Sequence, residues 1–191
     1  MFVRLIRPAI SLIVVMTVLL GIVYPFLITG VAKVVFPRQA GGSLIYEHGR
    51  LIGSTLIGQS FSDPKYFWGR PSATSPQPYN VLASSGSNLG PLNPALLDGV
   101  KANAKALHDA DPDNRRLIPV DLVSASASGL DPEISLAAAH YQAARVARAR
   151  NLPLEQIEAL IRARFQGRLL GFIGEPRINV LEVNLALDHL R

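Results

Sequence analysis

The uncharged run from Pro8 to Ala32 constrains this chain more than any other feature. Arg4 and Arg7 precede it and Lys33 follows it. As a helix its 25 residues rise about 37 Å, at about 1.5 Å per residue. The hydrocarbon core of a bilayer is about 30 Å thick. The run is long enough to span with some tilt, and only a helix satisfies a lone backbone segment in lipid. Gly30 and Ala32 offer a small-x-small pattern that a leader peptidase could cut. The apolar stretch nevertheless exceeds the roughly 7–15 residues of a leader's apolar core, which favours a retained anchor.

Charge follows the same division. The chain carries 19 Lys and Arg against 14 Asp and Glu. Arg4, Arg7, Lys33 and Arg38 flank the anchor, and no acid precedes Glu47. Beyond Arg38 the balance is 15 bases against 14 acids. The basic character thus belongs to the anchor's flanks, and a nucleic-acid partner loses its compositional support. Cysteine is absent, which excludes disulfides, thiolate catalysis and Cys-ligated zinc. Two bases on each side leave the direction of crossing nearly balanced. The N-terminal amine adds charge to the short side, so the N-terminus is expected inside and the domain outside.

The expected organisation is a short cytoplasmic N-terminus at 1–7, a transmembrane helix at 8–32, a linker at 33–42 and one soluble domain at 43–191. Ser43–Glu47 and Arg50–Ile57 read as strands joined at His48-Gly49. Six prolines between 64 and 94 forbid long regular elements, while Phe61, Tyr66, Phe67, Trp68 and Tyr79 argue against disorder. Asn93-Pro94 opens a helix to about His108. Leu117–Val123 reads as a strand, and Asp131-Pro132-Glu133 as the start of a helix to about Arg150. Pro153 opens another, to about Phe165. Leu169–Ile173 reads as a short strand. Asn179 and Glu182 form a capping-box spacing for a last helix over Val180–Leu190, with a strand as the alternative because apolar residues alternate there. The expected fold class is α+β, one N-terminal transmembrane helix followed by a small mixed domain.

Catalytic signatures are missing: there is no Gly-x-Ser-x-Gly elbow, no phosphate loop and no His-x-x-x-His pair. Asp109, Asp111 and Asp113 alternate but lack the rest of a calcium loop, and read as a solvated turn. Ser85-Gly86-Ser87-Asn88 is either a turn or a nest of N–H groups for an anion. Tyr66-Phe67-Trp68 serves as core, as a docking surface, or as both, because consecutive residues cannot all point inward. Arg70 lies beside it on the same candidate docking face. In the anchor, Thr17 and Gly21 are four apart on one face, and Pro25 loosens the helix one turn later. Both features suit packing against a membrane partner.

Five stretches together are specific: Leu56–Gln59, Tyr66–Ala73, Ser84–Gly90, Ser126–Pro132 and Asn179–Asp188. In them the chain resembles the C subunits of bacterial Kdp potassium-transporting ATPases, from the anchor to the C-terminus. The resemblance implies a non-catalytic subunit beside a channel-like KdpA subunit, a P-type ATPase subunit, KdpB, and a small KdpF subunit. It also implies a catalytic-chaperone role that raises ATP affinity. No tightly bound cofactor is implied, and ATP is met only through the pump complex. The family's nucleotide contact is a glutamine that matches Gln142, and Arg145 shares its helical face. The alternative, which follows from an outside domain, is a cap over the potassium entrance with no nucleotide role.

Overall fold

The computed structural model describes residues 2–190, with the side chains of 4–190, and divides after Ile52 into two compact units. In the first, helix α1 (Phe2–Val18), a π-helical turn (Leu19–Val23) and helix α2 (Tyr24–Val35) form one unbroken helical run. Within its 32 residues from Arg4 to Val35, an 18-residue stretch reaches a mean hydropathy of 2.5 and buries nothing against the rest of the chain. A core helix of comparable composition would be covered by its own domain; this one presents apolar side chains on every face. The π turn has a local cause. Pro25 has no N–H, and its ring crowds the carbonyl four residues back, at Gly21. The helix widens just before it, so that the Tyr24 N–H donates to the Leu19 carbonyl, five residues back. Thr17 and Gly21 do share a face: a methyl on Gly21 would sit 4.0 Å from Thr17 Cγ2. Part of the expected linker, Pro37–Ala40, forms a single helical turn, α3.

Strands β1 (Leu44–Glu47) and β2 (Arg50–Ser54) pair as a hairpin. Its two loop residues, His48 and Gly49, have φ of 48° and 77°, the twist that two-residue hairpins favour.

The second unit, from Gly53 on, holds helix α4 (Pro94–Ala110), strand β3 (Glu133–Ser135), helix α5 (Leu136–Arg150), helix α6 (Leu154–Arg164), strand β4 (Arg177–Asn179) and helix α7 (Val180–Asp188). Strands β3 and β4 run antiparallel, with the buried pair Ile134 and Ile178 opposite each other. Helix α5 presents Ala138, Ala139, Ala143 and Val146 to the core, small enough for α6 to approach with Ile157 and Ile161. Helix α7 adds Val180, Val183 and Leu187. The fold class is α+β, as expected.

Three expected elements differ. Asp131-Pro132-Glu133 does not start a helix. Asp131 Oδ1 accepts the Glu133 N–H, residues 133–135 pair with β4, and Ser135 becomes the cap, its Oγ accepting from the Ala138 N–H at 3.0 Å. Pairing Ile134 with Ile178 fills the core, which a helix there would not do. Leu117–Val123 is not a strand but an irregular segment with a 3₁₀ turn over Val120–Leu122, because Pro119 withholds a donor. Leu169–Ile173 is not a strand but the turn of a hairpin held by two isolated bridges, Gln166–Arg177 and Leu169–Ile173. At the last helix, the Asn179 side chain accepts the Glu182 N–H at 3.0 Å, and that cap decides for helix against strand.

Candidate functional site

The segment from Asp63 to Arg70 forms no helix or strand, yet side chains bond its backbone along most of its length. All six carbonyls from Asp63 to Trp68 accept a hydrogen bond from a side chain. A segment outside a sheet has no ladder for its backbone, so buried polar groups there must find side-chain partners. Three helical residues do most of this. Gln142 on α5 takes both polar atoms of Trp68: its Oε1 accepts from the Trp68 N–H at 2.8 Å, and its Nε2 donates to the Trp68 carbonyl at 3.1 Å. Asn184 on α7 treats Phe67 identically, at 2.8 Å and 2.9 Å. Arg145, one turn beyond Gln142, donates to the carbonyls of Pro64 and Tyr66 and to Gln142 Oε1. The backbone N–H of Trp68 and of Phe67 fixes which end of each amide is oxygen.

The electrostatics are unusual. Arg145 is only 4% exposed, and its hydrogen bonds go to uncharged oxygens. Its guanidinium also sits 4.3 Å from the centre of the Trp68 ring, a cation–π contact. Burial pushes its pKa down to about 10, with Asp111 and Asp63 pulling the other way. Arg150 closes the outer edge. It donates to the Lys65 carbonyl and to Asp188, and lies 4.9 Å from the Tyr66 ring, while the Tyr66 hydroxyl donates to Asp188 at 2.9 Å. Burial, then Asp188, raises the Tyr66 phenol.

The segment continues into a second knot. Arg70 pairs with Asp131 at 3.2 Å. The Tyr79 hydroxyl donates to the Arg70 carbonyl at 2.6 Å, and burial followed by the nearby Asp131 charge pushes its pKa up to about 12. Ser72 Oγ donates to the Gly129 carbonyl at 2.7 Å. Gly129 has φ of 67°, and a Cβ there would come within 2.6 Å of the Ser85 carbonyl oxygen, so only glycine fits. The Ser85 N–H donates to Ser128, the Ser126 N–H to Pro71, and the Gly58 N–H to Leu130. Stretches far apart in sequence thus meet in one place.

The geometry sorts the candidate residues. Phe67 is wholly buried and belongs to the core, so it offers nothing to a partner. Tyr66, Trp68 and Arg70 are half-buried around it. Gln142 is 1% exposed, with its amide committed to Trp68 and Arg145. Ser85, Ser87 and Asn88 are exposed, while Gly86 lies against Ala127. Sequence reasoning missed Asn184 and Arg150. An asparagine within Val180–Leu187, otherwise almost wholly apolar, was the signal for the first. Among the described residues, no group of three or more His, Asp or Glu side chains is placed to hold a metal ion. The arrangement provides no paired nucleophile and base; it holds chain in place and presents what lies beyond it. The outer rim of the same long segment, at Val81, Leu82 and Leu92, projects apolar side chains into solvent.

The chain is similar to known proteins along nearly its whole length. Residues 6–189 match the family described as KdpC: K+-transporting ATPase, c chain. The chain is 62% identical over 185 residues to the potassium-transporting ATPase KdpC subunit of Variovorax paradoxus, covering 97% of this chain and 96% of that protein. It is similarly 61% identical to the KdpC subunit of Dechloromonas aromatica, covering 96% of each. The KdpC subunit of Herpetosiphon aurantiacus is 58% identical over 97% of this chain and 96% of its own length.

Proposed function

The chain belongs to the KdpC family of K+-transporting ATPase C chains, and from this premise we propose that it is an accessory subunit that works by docking, through a preformed extracytoplasmic domain, at the potassium entrance of the channel-like subunit. The observation that carries this reading is the commitment of Gln142. A recognition amide needs a donor and an acceptor free for adenine, and both ends of this one hold Trp68. Beyond the clamped segment lies an apolar rim at Val81, Leu82 and Leu92, with Leu92 95% exposed. Apolar side chains projecting from an ordered loop suit a protein partner. The anchor, with Thr17, Gly21 and Pro25, supplies a second contact inside the bilayer with the multi-span subunits.

A photo-crosslinking residue at Leu92 in the assembled pump tests this. Capture of the channel-like subunit is the expected result. Capture only of the cytoplasmic ATPase domains would overturn it, as would protease access showing the domain inside the cell.

The ATP-affinity role takes a different form on this geometry. An effect of Gln142 on nucleotide affinity would pass through the position of Trp68 and not through amide contact. The apparent ATP affinity of the pump should then fall with Asn184→Ala as it does with Gln142→Ala. A loss confined to Gln142→Ala would favour direct contact.

A further inference from the structure

A short hairpin after α6 stands apart from everything described so far. Between Phe165 and Ile173, five large apolar residues face solvent, with Leu170 76% and Phe172 73% exposed. The hairpin is ordered by its own bonds. Gln166 and Arg177 exchange backbone hydrogen bonds at 2.9 and 3.0 Å, as do Leu169 and Ile173. The Arg168 guanidinium grips both carboxylate oxygens of Glu175 across its base, at 3.0 and 2.8 Å. At the turn, Leu170 and Gly171 both take positive φ, 54° and 82°. Leucine rarely adopts that conformation, so a bulky apolar side chain is held at the tip against the local preference for glycine or asparagine. Four arginines and one glutamate lie between residues 162 and 177, and Arg162 and Arg164 are exposed beside the hairpin.

We propose that this hairpin is a membrane-docking tip, which sets Leu169, Leu170, Phe172 and Ile173 into the boundary between headgroups and acyl chains while Arg162 and Arg164 engage anionic phospholipid. Three observations favour lipid over a protein groove. Leu169 and Ile173 pair through both backbone groups, and the Gly171 and Phe172 N–H groups donate within the turn, which lowers the cost of leaving bulk water. Bases flanking an apolar tip complement an anionic surface, and attraction to such a surface adds to apolar insertion. The same chain carries its own apolar helix from Arg4 to Val35, so a bilayer is always at hand. The inference rests on that helix being a retained anchor.

The chain has no cysteine, so Phe172→Cys carries a single environment-sensitive fluorophore. Full-length protein is reconstituted into vesicles of equal phosphatidylcholine and phosphatidylglycerol. Docking predicts blue-shifted emission, quenching by lipids with a spin label near the headgroup, and protection from soluble iodide. A probe at Leu117→Cys, exposed elsewhere on the domain, should stay aqueous. Arg162→Gln with Arg164→Gln should lower the lipid quenching severalfold in anionic vesicles and leave it unchanged in pure phosphatidylcholine. An iodide-accessible probe at Phe172→Cys and again at Leu169→Cys overturns the proposal. So does a probe shielded only after the other subunits assemble and not quenched by labelled lipid, which would make the tip a protein contact. Carbonate extraction of the same vesicles reads the anchor separately. A chain that washes off overturns both readings, whereas a retained chain with an aqueous probe overturns the hairpin alone.

Discussion

Two irregular segments of the domain, Asp63–Arg70 and Phe165–Gly174, have similar raw material and opposite fates. Each packs large apolar side chains around arginines and glycines. The first turns Phe67 into the core, and the second turns Phe172 out. The difference lies in who answers the backbone. Phe165–Gly174 pairs with itself and with Arg177, so its side chains are not drawn into the domain to satisfy polar groups. Asp63–Trp68 offers six carbonyls with no strand beside them; Gln142, Arg145, Arg150 and Asn184 reach out from α5 and α7 to meet five, and the Trp68 indole meets the sixth, at Asp63. An irregular chain becomes core when neighbouring helices supply its hydrogen bonds.

The sharpest way to break this contrast is to truncate the two phenylalanines. Phe67→Ala should cost about 3–5 kcal/mol in denaturant unfolding of the full chain in detergent, the range for a buried aromatic. Phe172→Ala should stay within about 0.5 kcal/mol, as exposed substitutions do. Equal costs would erase the distinction between the segments.

Next in size is the clamp itself. Asn184→Leu keeps the branched outline but leaves the Phe67 N–H and carbonyl without partners. Each stranded buried group costs about 1–3 kcal/mol, so a total of about 2–6 kcal/mol is expected. Gln142→Leu should cost as much, and it also removes an acceptor from Arg145. Little loss in either variant would mean that α5 and α7 do not hold the segment through these amides.

Alkaline titration sharpens the same point. Tyr79, raised to about 12, stays protonated in the folded domain while the unfolded chain begins to ionise near pH 10. The folded state then holds more protons, so this group's contribution is intact below pH 10 and is lost as pH rises to about 12. Arg145, lowered to about 10, acts in the opposite sense: above that pH the folded domain sheds a proton that the unfolded chain keeps, and stability is gained. Tyr79→Phe should therefore flatten the fall in stability between pH 10 and about 12, followed by circular dichroism. An unchanged slope would mean that the phenol is not held against Arg70 as described.

The smallest expected effect falls at the hairpin turn. Leu170→Gly should raise stability by roughly 1 kcal/mol by relieving a left-handed leucine. No rise in the thermal midpoint would mean that the turn carries no strain.

Much of the outline was legible in residues that act locally. Uncharged length announced the long apolar helix. Asn93-Pro94 and Asn179 announced two helix starts, because capping is a bond between near neighbours. His48-Gly49 announced the hairpin. The misreadings share a cause. Asp131-Pro132-Glu133 carries every local sign of a helix start, and lost to pairing with β4, more than 40 residues away in sequence. Strand β4 itself, three residues that follow Pro176 and end on the capping Asn179, leaves too short a pattern to read.

The sequence by itself determined the apolar helix, the α+β class and the family, since apolar length, caps and shared motifs are written in consecutive residues. Only the tertiary structure decided what Gln142 is bonded to and which aromatic of Tyr66-Phe67-Trp68 is core. A glutamine's partners are set by which distant backbone reaches it, and here that backbone is Trp68, 74 residues earlier in the chain.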